Sequence, residues 1–294
     1  MPQYQYRIVN VFAESTFGGN PLCVFENALG LNTEDMQALA LQFNLSETTF
    51  ILPSDKATAQ VRIFTPGFEM AFAGHPTLGT AQVVRDLYST TDEISLEMKA
   101  GVIPVNATGD CWTLHANAPT FRDCTLTQSE IAAMLGVTDA DVLHDVNHAA
   151  QWVNTGSEQL IVPLASAEAV TRARPKADLL AKVTSEPVNG TPSRSMAYVF
   201  APNAVAGTSA IPKLLSRFFF MKHGAIVEDP GTGSATANLG GWMLHAKYAL
   251  PLEYAIEQGA AAGRPCHLGL RVDAGRNIFV SGRVIELGRG YVTI

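Results

Sequence analysis

The stretch that most limits what this chain can fold into runs from Phe64 to Val84, FTPGFEMAFAGHPTLGTAQVV. From His75 to Val84 it contains no Asp, Glu, Lys or Arg, so a helix beginning near Pro76 has no charged face to turn toward water. A helix that is apolar all round is a buried helix, and the rest of the chain must supply the walls around it. Gly74 permits a close or left-handed backbone approach, His75 falls at the N-cap, and Pro76 suits the first helical position. The unsatisfied backbone N–H groups of that first turn then point at whatever lies before Gly74.

A second passage of the same kind runs from Ile226 to Leu244, IVEDPGTGSATANLGGWML, where Asp229 is the last charged residue before Lys247. Gly233 and Ser234 stand there as Gly74 and His75 stood in the first. Two buried helices, each opening on a glycine and a polar side chain, describe a doubled fold with two helix N-termini facing one site. Such N-termini favour anions, typically by ~0.3–1 kcal/mol each.

The order of elements supports the doubling. Strands are expected at Tyr4–Ala13, Leu22–Phe25, Thr48–Leu52 and Gln60–Phe64, with an amphipathic helix capped by Thr33 that buries Met36, Leu39, Ala40 and Phe43. After the first buried helix come strands at Ile94–Met98, Val102–Val105 and Cys111–His115. Asn117-Ala118-Pro119 breaks the pattern, and Thr127-Gln128-Ser129-Glu130 is a capping box that starts a helix to Leu135. The same order then returns: strand material at Trp152–Leu164, a helical region from Ser166, strands at Met196–Phe200 and Arg217–Met221, and the second buried helix. Strands near His267–Val272, Asn277–Val280 and Arg283–Leu287 close the chain, the last returning to the first half's sheet.

At 294 residues the chain has room for two domains of ordinary size. A hydrophobic fraction of 47% with 16% charged residues is that of a folded protein, and the net charge of −7 gives no general attraction for nucleic acid or an anionic membrane. No stretch approaches ~18–20 uninterrupted apolar residues and MPQYQYRIVNVFAEST does not read as a leader, so a soluble cytoplasmic protein is expected. Cys23, Cys111, Cys124 and Cys266 form no Cys-x-x-Cys pair, which argues against a zinc ribbon or a redox dithiol. His144 and His148 have the spacing of two helical ligands, but DVNHAA is a poor helix and no HExxH surrounds them, so no metal centre is expected.

Several residues are suited to chemistry. Glu47 lies between Phe43-Asn44-Leu45 and Phe50-Ile51-Leu52, where partial desolvation moves a carboxylate toward proton abstraction; it also reads as an ordinary surface or capping glutamate. Asp229 precedes Pro230-Gly231-Thr232-Gly233 at a helix entry, where a carboxylate is also a common cap, and Glu228 beside it competes for any role. Ser234 invites a nucleophile reading, but Gly-Thr-Gly-Ser-Ala lacks the last glycine of a G-x-S-x-G elbow. Gly231-Thr232-Gly233 is neither a dinucleotide fingerprint nor a Walker loop, so no nucleotide cofactor is expected. Gly19-Asn20-Pro21 reads as a hairpin turn or as a ligand contact.

Taken together, Phe17-Gly18-Gly19-Asn20-Pro21, Asn44-Leu45-Ser46-Glu47-Thr48, Phe72-Ala73-Gly74-His75-Pro76-Thr77-Leu78 and Glu228-Asp229-Pro230-Gly231-Thr232-Gly233-Ser234-Ala235 resemble, in order, the motifs of the PhzF-like family of phenazine biosynthesis. Glu257-Gln258-Gly259 with Gly263-Arg264-Pro265 resembles a fifth, so the resemblance spans essentially the whole chain. It implies an α/β (α+β) fold of the diaminopimelate epimerase type: two similar domains, each a curved mixed sheet around a central buried helix, with the active site in the cleft between them. The domains would comprise residues 1–118 plus about 281–294, and residues 119–280.

The resemblance further implies a cofactor-independent isomerase and a homodimer. The epimerases of that fold carry two cysteines at the helix starts, where this chain has His75 and Ser234, so two-thiol racemisation is not expected. Glu47 would be the general acid/base on a small carboxylate-bearing amino or hydroxy acid. His75, Asp229 and Ser234 would act with it, and Asn20, Ser46, Gly74 and Gly233 would hold the substrate. A non-catalytic small-molecule-binding protein on the same fold, and a hydrolase using Ser234, are the alternatives.

Overall fold

Strands meet the first glycine-led helix on every face. The computed structural model describes residues 1–145, 147–187, 192–203 and 211–294. The chain divides into one unit of Met1–His115 with Ser281–Ile294 and another of Ala116–Val188 with Pro192–Val280.

The first unit holds β1 (Gln3–Val11), β2 (Asn20–Phe25), α1 (Thr33–Phe43), β3 (Thr48–Leu52), β4 (Ala59–Phe64), β5 (Glu69–Met70), α2 (Gly74–Tyr88), β6 (Glu93–Met98), β7 (Gly101–Thr108) and β8 (Cys111–His115). β1 pairs antiparallel with β2, β2 parallel with β3, β3 antiparallel with β4, and β4 parallel with β6, followed by the antiparallel meander β6–β7–β8. The last strand of the chain returns to this unit and pairs with β1 from Val284 opposite Val11 to Thr293 opposite Gln3. Its Val284 N–H donates to the Asp110 carbonyl just before β8, so the row of strands bends round on itself.

Inside lies α2, whose residues from Gly74 to Val84 are all buried except the half-buried Gln82. Successive residues turn by about 100°, so Thr77, Gly79, Thr80 and Gln82 look in different directions, and each meets strand residues. The Thr77 hydroxyl lies 3.6 Å from Met98 Sδ, Thr80 and Thr49 hydroxyls share a 2.8 Å hydrogen bond, and Trp112 Nε1–H donates to Gln82 at 2.9 Å. Gly79 is packed so closely that a Cβ there would stand 2.7 Å from Leu22 and 2.8 Å from Val11. The outer face of the sheet is covered by α1, where Met36, Leu39 and Ala40 pack with Phe25, Phe50 and Phe64.

The second unit repeats the plan with β9 (Thr120–Asp123), α3 (Gln128–Leu135), β10 (Gln151–Asn154), β11 (Glu158–Pro163), α4 (Ala167–Arg172), α5 (Ala177–Leu180), β12 (Met196–Pro202), β13 (Lys213–Lys222), β14 (Ala225–Asp229), α6 (Gly233–His245), β15 (Leu252–Gln258) and β16 (Cys266–Val272). β9, β10 and β11 are antiparallel, β11 and β12 parallel, β12–β13–β14 antiparallel, β13 and β15 parallel, and β15 and β16 antiparallel. α6 is buried from Gly233 to Leu244 except at the partly exposed Ser234. A Cβ on Gly240 would meet Ile278 and Leu270 within 3.0 Å, and one on Gly241 would meet Pro119 and Val153 at 2.8 Å. The helices α3, α4 and α5 cover the outer face through Ile131, Leu135, Val170 and Leu180.

Three expectations need correction. α2 begins at Gly74 with Ala73 as its N-cap, so His75 and Pro76 are its second and third residues. A proline is tolerated throughout a first turn because those N–H groups have no intrahelical acceptor in any case. α1 is capped by Asn32 rather than Thr33, because Asn32 forms a reciprocal box with Asp35, its Oδ1 accepting from Asp35 N at 2.8 Å. The final two strands are one, β17 (Ile278–Thr293), which continues through Gly282, where the missing side chain leaves room for the Phe12 ring. The capping box of Thr127 and Glu130 stands as read from the sequence. Among the described residues no helix is long and apolar enough to cross a membrane.

Candidate active site

The first unit gathers Asn20, Glu47 and His75. α1 ends in a left-handed Asn44, and Ser46 and Glu47 lie in the short run that leads into β3, both partly exposed. Glu47 Oε2 lies 3.5 Å from His75 Nε2. His75 is nearly enclosed, and burial pulls its pKa down to about 3, opposed in part by a hydrogen bond between the ring and the Pro21 backbone. With Nε2 turned to Glu47, Nδ1 is the nitrogen that donates to the Pro21 carbonyl. The ring is therefore neutral at pH 7 and shows Glu47 an unprotonated nitrogen rather than a positive charge.

The turn Gly19-Asn20-Pro21 explains how that carbonyl is placed. Gly19 has φ +79°, and a Cβ there would stand 2.7 Å from Ala13 and 2.8 Å from the Val11 carbonyl, so the chain passes tight against β1 before Asn20 opens β2, fully buried. Gly74 starts α2 beside these groups. The first intrahelical bond runs from Thr77 N–H to the Ala73 carbonyl, and since Pro76 has no N–H, the first turn offers the backbone donors of Gly74 and His75.

The neutral ring has a pH consequence. An unfolded histidine takes a proton near pH 6.5, whereas the folded one takes it only near pH 3, so the unfolded state binds more protons between these values. This contribution to stability is complete above pH 6.5 and is lost as the pH falls toward 3. The expected results are a His75 ring whose ¹⁵N shifts do not titrate between pH 5 and 8, and a thermal midpoint that falls more steeply on acidification in the wild type than in His75→Gln. A ring titrating near pH 6.5 would contradict the burial argument.

The second unit gathers Asp229, Gly233 and Ser234. Asp229 ends β14, nine-tenths buried, and its carboxylate accepts from the Thr232 hydroxyl. The Gln258 side chain ties this turn from below: Nε2 donates to the Asp229 carbonyl at 2.9 Å and to Thr232 Oγ1 at 3.0 Å, and Oε1 accepts from Thr232 N at 3.2 Å. Gly259, at φ +81°, lies so close to the Pro230 and Arg264 carbonyls that a Cβ would stand 2.3 Å from both. Thr236 N–H makes the first bond of α6, to the Thr232 carbonyl, leaving Gly233, Ser234 and Ala235 as first-turn donors.

Strand alternation separates the two adjacent acids. Glu228, opposite Phe219, is held by Arg217 through bonds of 3.0 and 2.7 Å, while Asp229, opposite Phe218, lies on the other face and reaches the α6 turn. Ser234 Oγ accepts a 2.9 Å hydrogen bond from Gln159 Nε2. An amide N–H cannot take the serine's proton, which removes that neighbour as the base a nucleophile needs. His144 and His148, the pair singled out by spacing, both lie outside any helix, and His148 Nδ1 is 3.0 Å from Asp145.

Sequence reasoning did not reach Gln159, and quoted Thr232 and Gln258 without a role. Gln258 stood in the fifth motif, and its position before a glycine was the available signal. Gln159 sits in the apolar run QLIVP, where nothing but its polarity marks it.

Comparison with known proteins adds an independent line. The model of the family described as phenazine biosynthesis-like protein matches residues 9–287. An uncharacterized isomerase of Pasteurella multocida is 38% identical over 98% of this chain and 93% of that protein. A trans-2,3-dihydro-3-hydroxyanthranilate isomerase of Pseudomonas chlororaphis is 30% identical over 99% of this chain and 100% of its own length. The crystal structure of a PhzF-family protein of Bacillus anthracis superposes with a TM-score of 0.84 over 100% of both chains at 24% identity. A hydroxyproline epimerase of Agrobacterium vitis shares the fold at a TM-score of 0.65 and 11% identity, over 99% of this chain and 92% of its own.

Proposed function

Because this chain belongs to the phenazine biosynthesis-like protein family, we propose that it is an isomerase that moves a proton between two carbons of a small carboxylate-bearing amino or hydroxy acid, with Glu47 as general acid and base. The observation that carries this reading is the placement of Glu47 Oε2 3.5 Å from Nε2 of a histidine that burial keeps neutral. A cationic partner would hold Glu47 as a salt bridge and blunt it as a base. An unprotonated ring nitrogen instead accepts a hydrogen bond from Glu47 once the carboxyl has taken a proton from carbon. The pair is thus built to receive one proton and release it again.

The reaction balances without a redox partner: one C–H bond breaks, one forms, and the double bond moves between them, so no oxidant or reductant is needed. Developing negative charge is met by the backbone donors at the start of α2, and Asn20 and Ser46 are assigned to hold the substrate. Asp229, a buried carboxylate held by the Thr232 hydroxyl in a turn fixed by Gln258, suits a substrate amine or hydroxyl. The three first-turn donors of α6 with the Ser234 hydroxyl suit the substrate carboxylate.

The Pseudomonas chlororaphis relative supplies the substrate to try first. Incubating the wild-type protein with trans-2,3-dihydro-3-hydroxyanthranilate and following the absorbance is expected to show loss of the starting chromophore. An unchanged spectrum, with no hydrogen exchange at carbon, would rule that substrate out.

A further inference from the structure

The polar link behind Ser234 has a direction. The Thr155 backbone N–H can only donate, and Asn238 Oδ1 accepts it at 2.8 Å together with the Thr155 hydroxyl at 2.8 Å. Asn238 Nδ2 must then face acceptors, and it donates to the Ser157 carbonyl at 2.8 Å and to Gln159 Oε1 at 2.7 Å. With Oε1 so engaged, Nε2 is the atom of Gln159 that meets Ser234 Oγ, at 2.9 Å. A backbone donor and a backbone acceptor orient the first amide and the first amide orients the second, so neither can flip without placing two donors or two acceptors in contact. Asn238 is fully buried and Gln159 is 2% exposed, so water does not stand in for a lost partner.

We propose that Gln159 is a positioning residue that holds Ser234 as a hydrogen-bond donor toward an oxygen of the substrate carboxylate. A hydroxyl that accepts from Gln159 has its own proton to direct elsewhere. The same place in the first unit carries the opposite polarity. His75 is the second residue of α2 and is held by Pro21, the second residue of β2; Ser234 is the second residue of α6 and is held by Gln159, the second residue of β11. Pro21 offers a carbonyl acceptor, which leaves His75 presenting an acceptor nitrogen to Glu47. Gln159 offers an N–H donor, which leaves Ser234 presenting a proton. One doubled frame is thereby made chemically unequal, with an acceptor in one half and a donor in the other. The identity of the oxygen that Ser234 meets rests on the isomerase reading, whereas the orientation of Ser234 rests on the second unit alone.

Two measurements test this separately. In ligand-free protein labelled with ¹⁵N-glutamine, with Gln159→Leu identifying the side-chain pair, Ser234→Ala is expected to move one Nε2 proton of Gln159 and leave its geminal partner in place. An unmoved pair would overturn the proposal whatever the protein's substrate. In turnover of trans-2,3-dihydro-3-hydroxyanthranilate, Gln159→Leu and the near-isosteric Gln159→Glu, which lacks the N–H, are each expected to lower kcat/KM by about 10-fold to 100-fold, the worth of one hydrogen bond to a charged group. Neither change is expected to lower it further in a Ser234→Ala background. Additive losses in the double variants would show that Gln159 acts through general stability and would overturn the positioning role. Absence of turnover in the wild type would count against the isomerase reading, with the resonance measurement still deciding the role of Gln159.

Discussion

Replacing Glu47 by Gln is expected to lower turnover of trans-2,3-dihydro-3-hydroxyanthranilate by about 10²-fold to 10⁴-fold, the range that a positioned general acid or base contributes. The amide keeps the size and hydrogen-bonding reach of the carboxylate but cannot take a proton from carbon. Its effect should fall on kcat, because the groups assigned to substrate binding, Asp229, Ser234 and the helix starts, are untouched. The fold should hold as well, since Glu47 is partly exposed in the run before β3, and Thr48 to Leu52 keep their pairings with β2 and β4. Steady-state kinetics with a thermal melt of the same sample check both statements. A Gln variant within threefold of the wild type would remove Glu47 from the chemistry.

The largest expected effect on stability belongs to Arg217. Its guanidinium, 7% exposed, holds Glu228 with two bonds and donates through Nη1 to the carbonyls of Val170, Thr171 and Ala173, at 3.2, 3.2 and 2.8 Å. Those carbonyls belong to the end of α4, where a cation complements the negative end of the helix; Val170 also accepts from Ala173 N–H, and Thr171 and Ala173 from Arg174 Nη1. Its plane also lies over Phe219, 4.6 Å from the ring centroid. Arg217→Met leaves a shielded Glu228 carboxylate and three carbonyls without this donor, and breaking a buried pair from one side costs about 3–5 kcal/mol. At roughly 2–4 °C per kcal/mol for a unit of this size, the midpoint should fall by about 6–20 °C. The double variant Arg217→Met/Glu228→Met should recover much of the loss, since it removes the stranded charge as well. A single variant that melts within about 2 °C of the wild type, less than 1 kcal/mol on that scale, would show that the pair is not structural.

The glycine-led helices were legible because burial on every face leaves a mark that needs no partner: ten residues from His75 to Val84 without a charge. The box of Thr127 and Glu130 was legible because both members lie within one turn. The cap of α1 was legible too but was read one residue late: Asn32 has Asp35 three positions on, whereas Thr33 has Met36, which cannot close a box. Glu228 and Asp229 looked equivalent in sequence, and only the assignment of Ala225–Asp229 as a strand gives them opposite faces. Gln159 was invisible for a deeper reason. Its meaning lies in Asn238, 79 positions away, and in the backbone of Thr155 and Ser157. Local pattern identifies which side chains are buried, but the direction of a buried hydrogen bond is set by partners that only the fold brings together.

The most direct test of the account is to run the reaction in heavy water and locate deuterium in the product by NMR. If Glu47 carries the proton between carbons, wild-type product should gain at most one deuterium, at the carbon that receives the proton, to the extent that the protonated carboxyl exchanges with solvent before returning it. Glu47→Gln should then yield neither product nor labelled substrate beyond the uncatalysed background. Labelled product formed by Glu47→Gln at the wild-type rate would place the base elsewhere and contradict the central claim.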